Sequence, residues 1–295
     1  MAAFEAHLQT MSGTDADATH PPVSFTAGLP ALCSVWTAMI AMGGADVLMC
    51  STAYGGSSQM TDLLVERVPT LRKHTFDIQG VGTCLSTSIK DALDRLAQDE
   101  GSKSIPATLL AVEIPTNPDM KVPDMREVAE MLAAHGTETG KDVLLLVDTT
   151  FAPASGVLGK LREACDGLPA VAFVSMSKSV SRGVTTAGAV VANHTAYARD
   201  VLKGVAAIAS AFDTGARPDQ VQRLAANHVG VEERCKKAYV ECSGLVPQRA
   251  RCGRAMGARA VRASPDAHSR LRARSPKRAQ VRARSGGGRR AGGRS

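Results

Sequence analysis

Val171-Ala-Phe-Val-Ser-Met-Ser-Lys178-Ser-Val-Ser-Arg-Gly183 reads as a short buried strand that breaks into hydroxyls, one amine and a glycine. Thirty residues before that lysine, Val143-Leu-Leu-Leu-Val147 ends in Asp148-Thr149-Thr150 in the same manner. Apolar runs of this length, without alternation, are what strands buried on both faces look like. Two of them with a weaker helical stretch between predict neighbouring parallel strands. Open α/β sheets bind ligands beyond the carboxyl ends of their strands, so an acid and an amine are expected to face one pocket.

The same rhythm runs along the chain on either side. Residues 26–39 read as a loop entering an amphipathic helix, with Pro30 tolerated in the first turn and Gly43-Gly44 ending it. Asp46-Val-Leu-Met-Cys50 is a buried strand, followed by a flexible, hydroxyl-rich loop through Tyr54-Gly55-Gly56 to Ser58 and a helix over 59–67. Further strands are expected at 74–78, 108–113 and 188–193, and helices at 85–98, 122–134, 158–164, 196–211 and 218–242. Strands alternating with helices predict an α/β fold with a largely parallel sheet covered on both faces. Residues 1–24 are polar and lack periodicity, which predicts a disordered N-terminus before a folded region over 25–243.

Composition bounds the rest. With 295 residues, 44% of them hydrophobic, the chain has ample material for a core. The stretch from Ala31 to Met49 is broken by Gly43, Gly44 and Asp46, so no transmembrane helix is expected. Glu5, Asp15 and Asp17 without any Lys or Arg in the first 24 residues fit neither a signal nor a transit peptide, which makes the cytoplasm the expected compartment. Seven cysteines without a Cys-x-x-Cys pair and seven scattered histidines predict free thiols and no metal site. The net charge of +7 is unevenly spread: residues 244–295 hold fourteen Arg, one Lys and the single acid Asp266, a net of +14, which leaves −7 for the rest. That tail has no Phe, Tyr, Trp or Ile and is expected to be disordered. It would attract nucleic-acid phosphate, but it has no aromatic side chain to stack on bases, so nucleic acid is the alternative partner and not the expected one.

A lysine and an aspartate at adjacent strand ends suit pyridoxal phosphate, which needs an amine for its aldehyde, an acid for its ring nitrogen, a flat neighbour and phosphate donors. Lys178 would hold it as a Schiff base and then move protons as general base and acid. Asp148 would face the pyridine nitrogen, and Tyr54 would stack on the ring. The amides of Gly28 and Leu29 at a helix start would receive the phosphate, with hydroxyls from Ser175 and Ser177. Asn117 would donate to the phenolic oxygen. Each residue also has a plain structural reading. Lys178 can be a solvated charge, Asp148 a turn or helix cap, Tyr54 a loop-packing residue, and Glu113 the partner of a nearby base.

Taken in order, these segments resemble the pyridoxal-phosphate enzymes of cysteine and methionine metabolism, the family of cystathionine gamma-synthase, cystathionine gamma-lyase and methionine gamma-lyase. Ala27-Gly28-Leu29 is similar to the family's phosphate-binding Gly-Met, Tyr54-Gly55-Gly56-Ser57 to its Tyr-Gly-Gly-Thr, and Glu113-Ile-Pro-Thr-Asn117-Pro118 to its Glu-x-Pro-x-Asn-Pro. Val147-Asp148-Thr149-Thr150-Phe151-Ala152 resembles Val-Asp-Asn-Thr-Phe-Ala, and Ser175-Met176-Ser177-Lys178 resembles Ser-x-Thr-Lys. The resemblance implies the fold type I large domain, with Lys178 and Tyr54 catalytic and Thr150 among the cofactor contacts. It also implies a small amino-acid substrate, elimination or replacement at the γ (or β) carbon, and a homo-oligomer, dimer or tetramer. The family's Tyr-x-Arg segment is missing, its Gly-His-Ser-Asp stretch is replaced by Ser181-Arg182-Gly183-Val184-Thr185-Thr186, and its small C-terminal domain has no counterpart after about Gly244. The break in composition there reads as a shifted reading frame or faulty gene end, which would leave a truncated, impaired enzyme or a non-catalytic remnant.

Overall fold

The strand that ends at Asp148, β5 (Asp142–Asp148), and the strand that leads to Lys178, β6 (Ala170–Ser175), lie side by side and parallel. They belong to a computed structural model of the chain that describes residues 2–15, 17, 19–77, 85–117, 120–238 and 240–241. Around them stand β1 (Val23–Phe25), β2 (Ala45–Cys50), β3 (Leu71–Phe76), β4 (Ala107–Glu113) and β7 (Gly188–Ala192). The strand order is β1-β7-β6-β5-β4-β2-β3. The strands from β3 to β6 run parallel, while β7 and β1 are antiparallel to their neighbours. The fold is therefore a mixed, mostly parallel α/β sheet, as the alternation of elements predicts.

Successive strand residues point to opposite faces, and β5 shows why its run is continuously apolar. Leu144 and Leu146 pack on one side with α2 (Gly28–Ala41) and α7 (Ala196–Ala211). Val143, Leu145 and Val147 pack on the other with α4 (Leu85–Ala97), α5 (Met125–Thr139), α6 (Val157–Ala164) and α8 (Pro218–Asn227). Between β2 and β3 runs α3 (Gly55–Val65). Among the described residues no helix is long and apolar enough to cross a membrane.

Several boundaries differ from expectation. Residues Ala2–Ser12, expected to be disordered, form helix α1, because Phe4, Leu8 and Met11 recur at helical spacing and are buried in the core beside Leu224 and Val231. Strand β1 was too short to stand out, and it exists because Val23 and Phe25 pair with Val190 and Gly188 of β7. The third strand starts at Leu71, earlier than expected, since Arg72 and Lys73 send their charges to Asp99 (2.6 Å) and Asp62 (2.7 Å) while Leu71 and Phe76 are buried. The helix expected over 218–242 ends at Asn227, turns through Gly230, whose φ of 74° is left-handed, and resumes at residues 231–238. The expectations for Ile78, Pro118 and the tail from residue 244 lie outside the described residues.

Leu8 is 1% exposed, so Leu8→Ala is expected to lower stability by about 2–4 kcal/mol. Urea denaturation checks this: an unchanged midpoint would mean that α1 does not dock as described.

Candidate active site

The carboxyl ends of β4, β5 and β6 open onto one cleft of about 350 Å³. Every residue singled out from the sequence lines it: Gly28, Leu29, Tyr54, Asn117, Asp148, Thr150, Ser175, Ser177 and Lys178. Register explains the convergence. Glu113 of β4 pairs with Asp148 of β5, and Asp148 pairs with Phe173 of β6, so the three strands finish near one level.

Lys178 lies three residues past the end of β6, in a turn, with its side chain exposed. Its Nζ stands 5.6 Å from the ring centroid of Tyr54 and 5.9 Å from that of Phe151. Among the described residues it has no hydrogen-bond or ion-pair partner. Phe151 lines the cleft too, a role that sequence reasoning missed; its place three residues after Asp148 was the available signal.

Asp148 is pushed up from 3.8 to about 6, chiefly by burial. Hydrogen bonding from Thr150 opposes the rise, Glu113 adds to it, and Lys178 pulls against it. The Thr150 N–H donates to Asp148 Oδ1 at 2.8 Å, while Thr150 Oγ1 accepts the Ser175 N–H at 2.9 Å. Thr150 thus fixes the carboxylate and ties the end of β5 to the end of β6.

Among the described residues Glu113 has no basic partner. One carboxylate oxygen accepts the Tyr54 N–H at 2.6 Å, and the other accepts the Asn117 N–H at 3.1 Å. A single side chain therefore holds two loops that carry candidate site residues. Tyr54 is also the cap of α3, whose first turn includes the Gly55-Gly56-Ser57-Ser58 segment that the sequence suggested was a loop. That turn closes because the Ser58 N–H donates to the Tyr54 carbonyl at 3.0 Å. A Cβ on Gly56 would lie 2.7 Å from the Tyr54 ring, so a side chain there would push the ring from its present position. Buried Trp36 Nε1 donates to Thr61 Oγ1 at 2.8 Å and fastens α3 to α2.

The start of α2 forms the other wall. Its cap residue, Ala27, gives no side-chain hydrogen bond, so the first N–H groups, at Gly28 and Leu29, are free of intrahelical partners and carry the positive end of the helix dipole. A Cβ on Gly28 would lie 2.9 Å from Ser175 Cβ, so glycine is what lets the helix start reach the Ser175 hydroxyl. The Ser177 hydroxyl is partly engaged, accepting the Ala187 N–H at 3.1 Å and lying 3.3 Å from the Ala187 carbonyl.

Among the described residues no group of His, Cys, Asp or Glu is arranged to hold a metal ion. The arrangement offers an amine, a half-buried acid, two aromatic faces and a helix N-terminus with adjacent hydroxyls, all in one cleft.

The chain is 35% identical over 72 residues to cystathionine gamma-lyase of Saccharomyces cerevisiae, covering 24% of this chain and 16% of that protein. Among solved structures it is similar to cystathionine gamma synthase from Xanthomonas oryzae pv. oryzae, with a TM-score of 0.57 and 23% identity over 77% of this chain and 49% of that one. It is also similar to cystathionine gamma-lyase from Lactobacillus plantarum, with a TM-score of 0.54 and 18% identity over 78% of this chain and 50% of that one. The chain spans about half the length of these structures, which share its fold. Residues 2–245 match the family model described as Cys/Met metabolism PLP-dependent enzyme. That match covers most of the sequence, and the chain belongs to this pyridoxal-phosphate-dependent family.

Proposed function

We propose that Lys178 carries pyridoxal phosphate in this cleft, and that the protein acts on sulfur-containing amino acids or activated homoserine by elimination or replacement at the γ (or β) carbon. The observation that carries the reading is the meeting of Lys178, Tyr54 and Asp148 with the uncapped start of α2 in one cleft. When bound, the cofactor supplies an electrophilic carbon for amines and a ring that accepts electron density from the substrate.

The residues present suit that group. Lys178 Nζ offers an amine with no ion-pair or hydrogen-bond partner to be displaced among the described residues. The start of α2, closed around Ser175 where a Cβ on Gly28 would intrude, offers N–H donors and a hydroxyl to a phosphate dianion. Half-buried Asp148 lacks a full countercharge, and a protonated ring nitrogen facing it would supply one. Tyr54 would present its ring face, and Asn117 its amide. Lys178 Nζ would take the proton from the substrate α-carbon and return it later in turnover. Leu29, Tyr54 and Phe151 are exposed at 41%, 47% and 47%, apolar surface beside the cleft that a second copy in a homo-oligomer would cover.

With pyridoxal phosphate added, the wild type is expected to show a visible absorption band that Lys178→Ala lacks. Identical spectra would contradict the assignment of Lys178.

Asp148 also sets a pH dependence for the cofactor-free protein. Its folded-state value is raised, so between 3.8 and about 6 the folded state holds a proton that the unfolded state has released. Stability therefore falls as pH rises through that window and stays reduced above it. Asp148→Asn keeps an acceptor for the Thr150 N–H and removes the desolvated charge, so at about pH 8 it is expected to be more stable than wild type by ~1–3 kcal/mol, with the gain vanishing near pH 4. Equal denaturation midpoints at both pH values would contradict the burial of this carboxylate.

A further inference from the structure

The start of α2 is held in place by a residue far from it in sequence. Gln220, in the first turn of α8, reaches between two backbone segments that flank the candidate phosphate end of the cleft. Its Nε2 donates to the Thr26 carbonyl at 3.0 Å and to the Thr186 carbonyl at 2.8 Å, and its Oε1 accepts the Arg217 N–H at 2.9 Å. The network fixes the amide's orientation, since a carbonyl needs a donor and a backbone N–H needs an acceptor.

Both bonded carbonyls lie close in the chain to groups that shape the cleft. Thr26 is followed by Ala27, the cap residue, and then by Gly28 and Leu29, whose N–H groups open α2. Thr186 is followed by Ala187, whose N–H holds the Ser177 hydroxyl at 3.1 Å. The two segments also press against each other: a Cβ on Gly188 would lie 2.6 Å from the Ala27 carbonyl oxygen and 2.8 Å from Gly28 Cα. They extend the antiparallel pairing of β1 with β7, which ends at Phe25 and Gly188. Beyond that pair no ladder bond joins them, and the Gln220 amide bridges them instead.

We propose, on the reading of the cleft given above, that Gln220 is a positioning residue for phosphate: it sets the spacing between the N–H groups at the start of α2 and the Ser177 hydroxyl without touching the ligand. A residue with this role affects a ligand that bears a phosphate and spares the same ligand without one. A residue that merely stabilises the fold affects both alike.

The test compares affinities for pyridoxal phosphate and pyridoxal in the full chain, for the wild type, Gln220→Met, Gln220→Glu and Lys178→Ala. Methionine preserves the length and packing of the side chain, and glutamate preserves the acceptor for the Arg217 N–H; neither can donate to the two carbonyls. Both Gln220 variants are expected to lose about tenfold in affinity for pyridoxal phosphate, the scale of one or two lost hydrogen bonds, and less than about twofold for pyridoxal. Equal losses for the two ligands, no loss at all, or wild-type behaviour of the glutamate variant would overturn the role of the amide as donor. If the wild type binds pyridoxal phosphate no differently from Lys178→Ala, the reading of the cleft itself falls and the Gln220 assignment with it. If only the Gln220 variants match the wild type, the cleft reading stands and the Gln220 assignment alone is lost.

Discussion

Two carboxylates end neighbouring parallel strands at the same register level, Glu113 on β4 and Asp148 on β5, and the site is built around keeping them apart in character. The Glu113 charge disfavours the ionisation of Asp148. Glu113 is committed to two backbone N–H groups, so its negative charge holds loops. Asp148, half-buried and desolvated, is pushed up toward neutrality, with the Thr150 hydrogen bonds and the Lys178 charge opposing the rise. A free amine at Lys178 lies on the next strand's exit. The arrangement thus provides one acid for structure and one that responds to the charge placed before it.

The opposite end of the sheet treats an acid differently. Asp46, fully buried at the start of β2, accepts from Ser102 Oγ at 2.5 Å and Lys141 Nζ at 2.9 Å, lies 2.9 Å from His74 Nε2, and has Arg72 within 3.5 Å. Burial would raise its pKa, but the hydrogen bonds from His74, Ser102 and Lys141 outweigh burial and hold it below the ordinary value. Here the charge is fully paired, which suits a role in holding β2, β3 and β5 together. The contrast with Asp148 is what separates an anchoring carboxylate from one left available to a ligand.

Much of this was legible in the sequence because burial on both sheet faces leaves a plain mark. The runs ending at Asp148 and Ser175 are continuously apolar, and the polar residues that follow them can only lie at the sheet's edge. Helix α1 also left a mark, the spacing of Phe4, Leu8 and Met11, but the polar residues between hid an apolar stripe only one residue wide. The extent of α3 was hidden for another reason: Gly55 and Gly56 suggest a loop, whereas they form the first turn of the helix, with Gly56 under the Tyr54 ring. The roles of Glu113 and Gln220 were not readable at all. Their partners are backbone N–H and carbonyl groups brought near by the fold, and a sequence does not show which backbone groups a distant side chain will meet.

The central claim is that Lys178 is the amine this cleft presents to its cofactor. The most direct measurement incubates the full chain with pyridoxal phosphate, reduces it with borohydride, digests it and locates the pyridoxyl label by mass spectrometry. The account predicts a single dominant label on the peptide containing Lys178. A label spread over surface lysines such as Lys90, Lys103 and Lys203, with Lys178 unmodified, would contradict it.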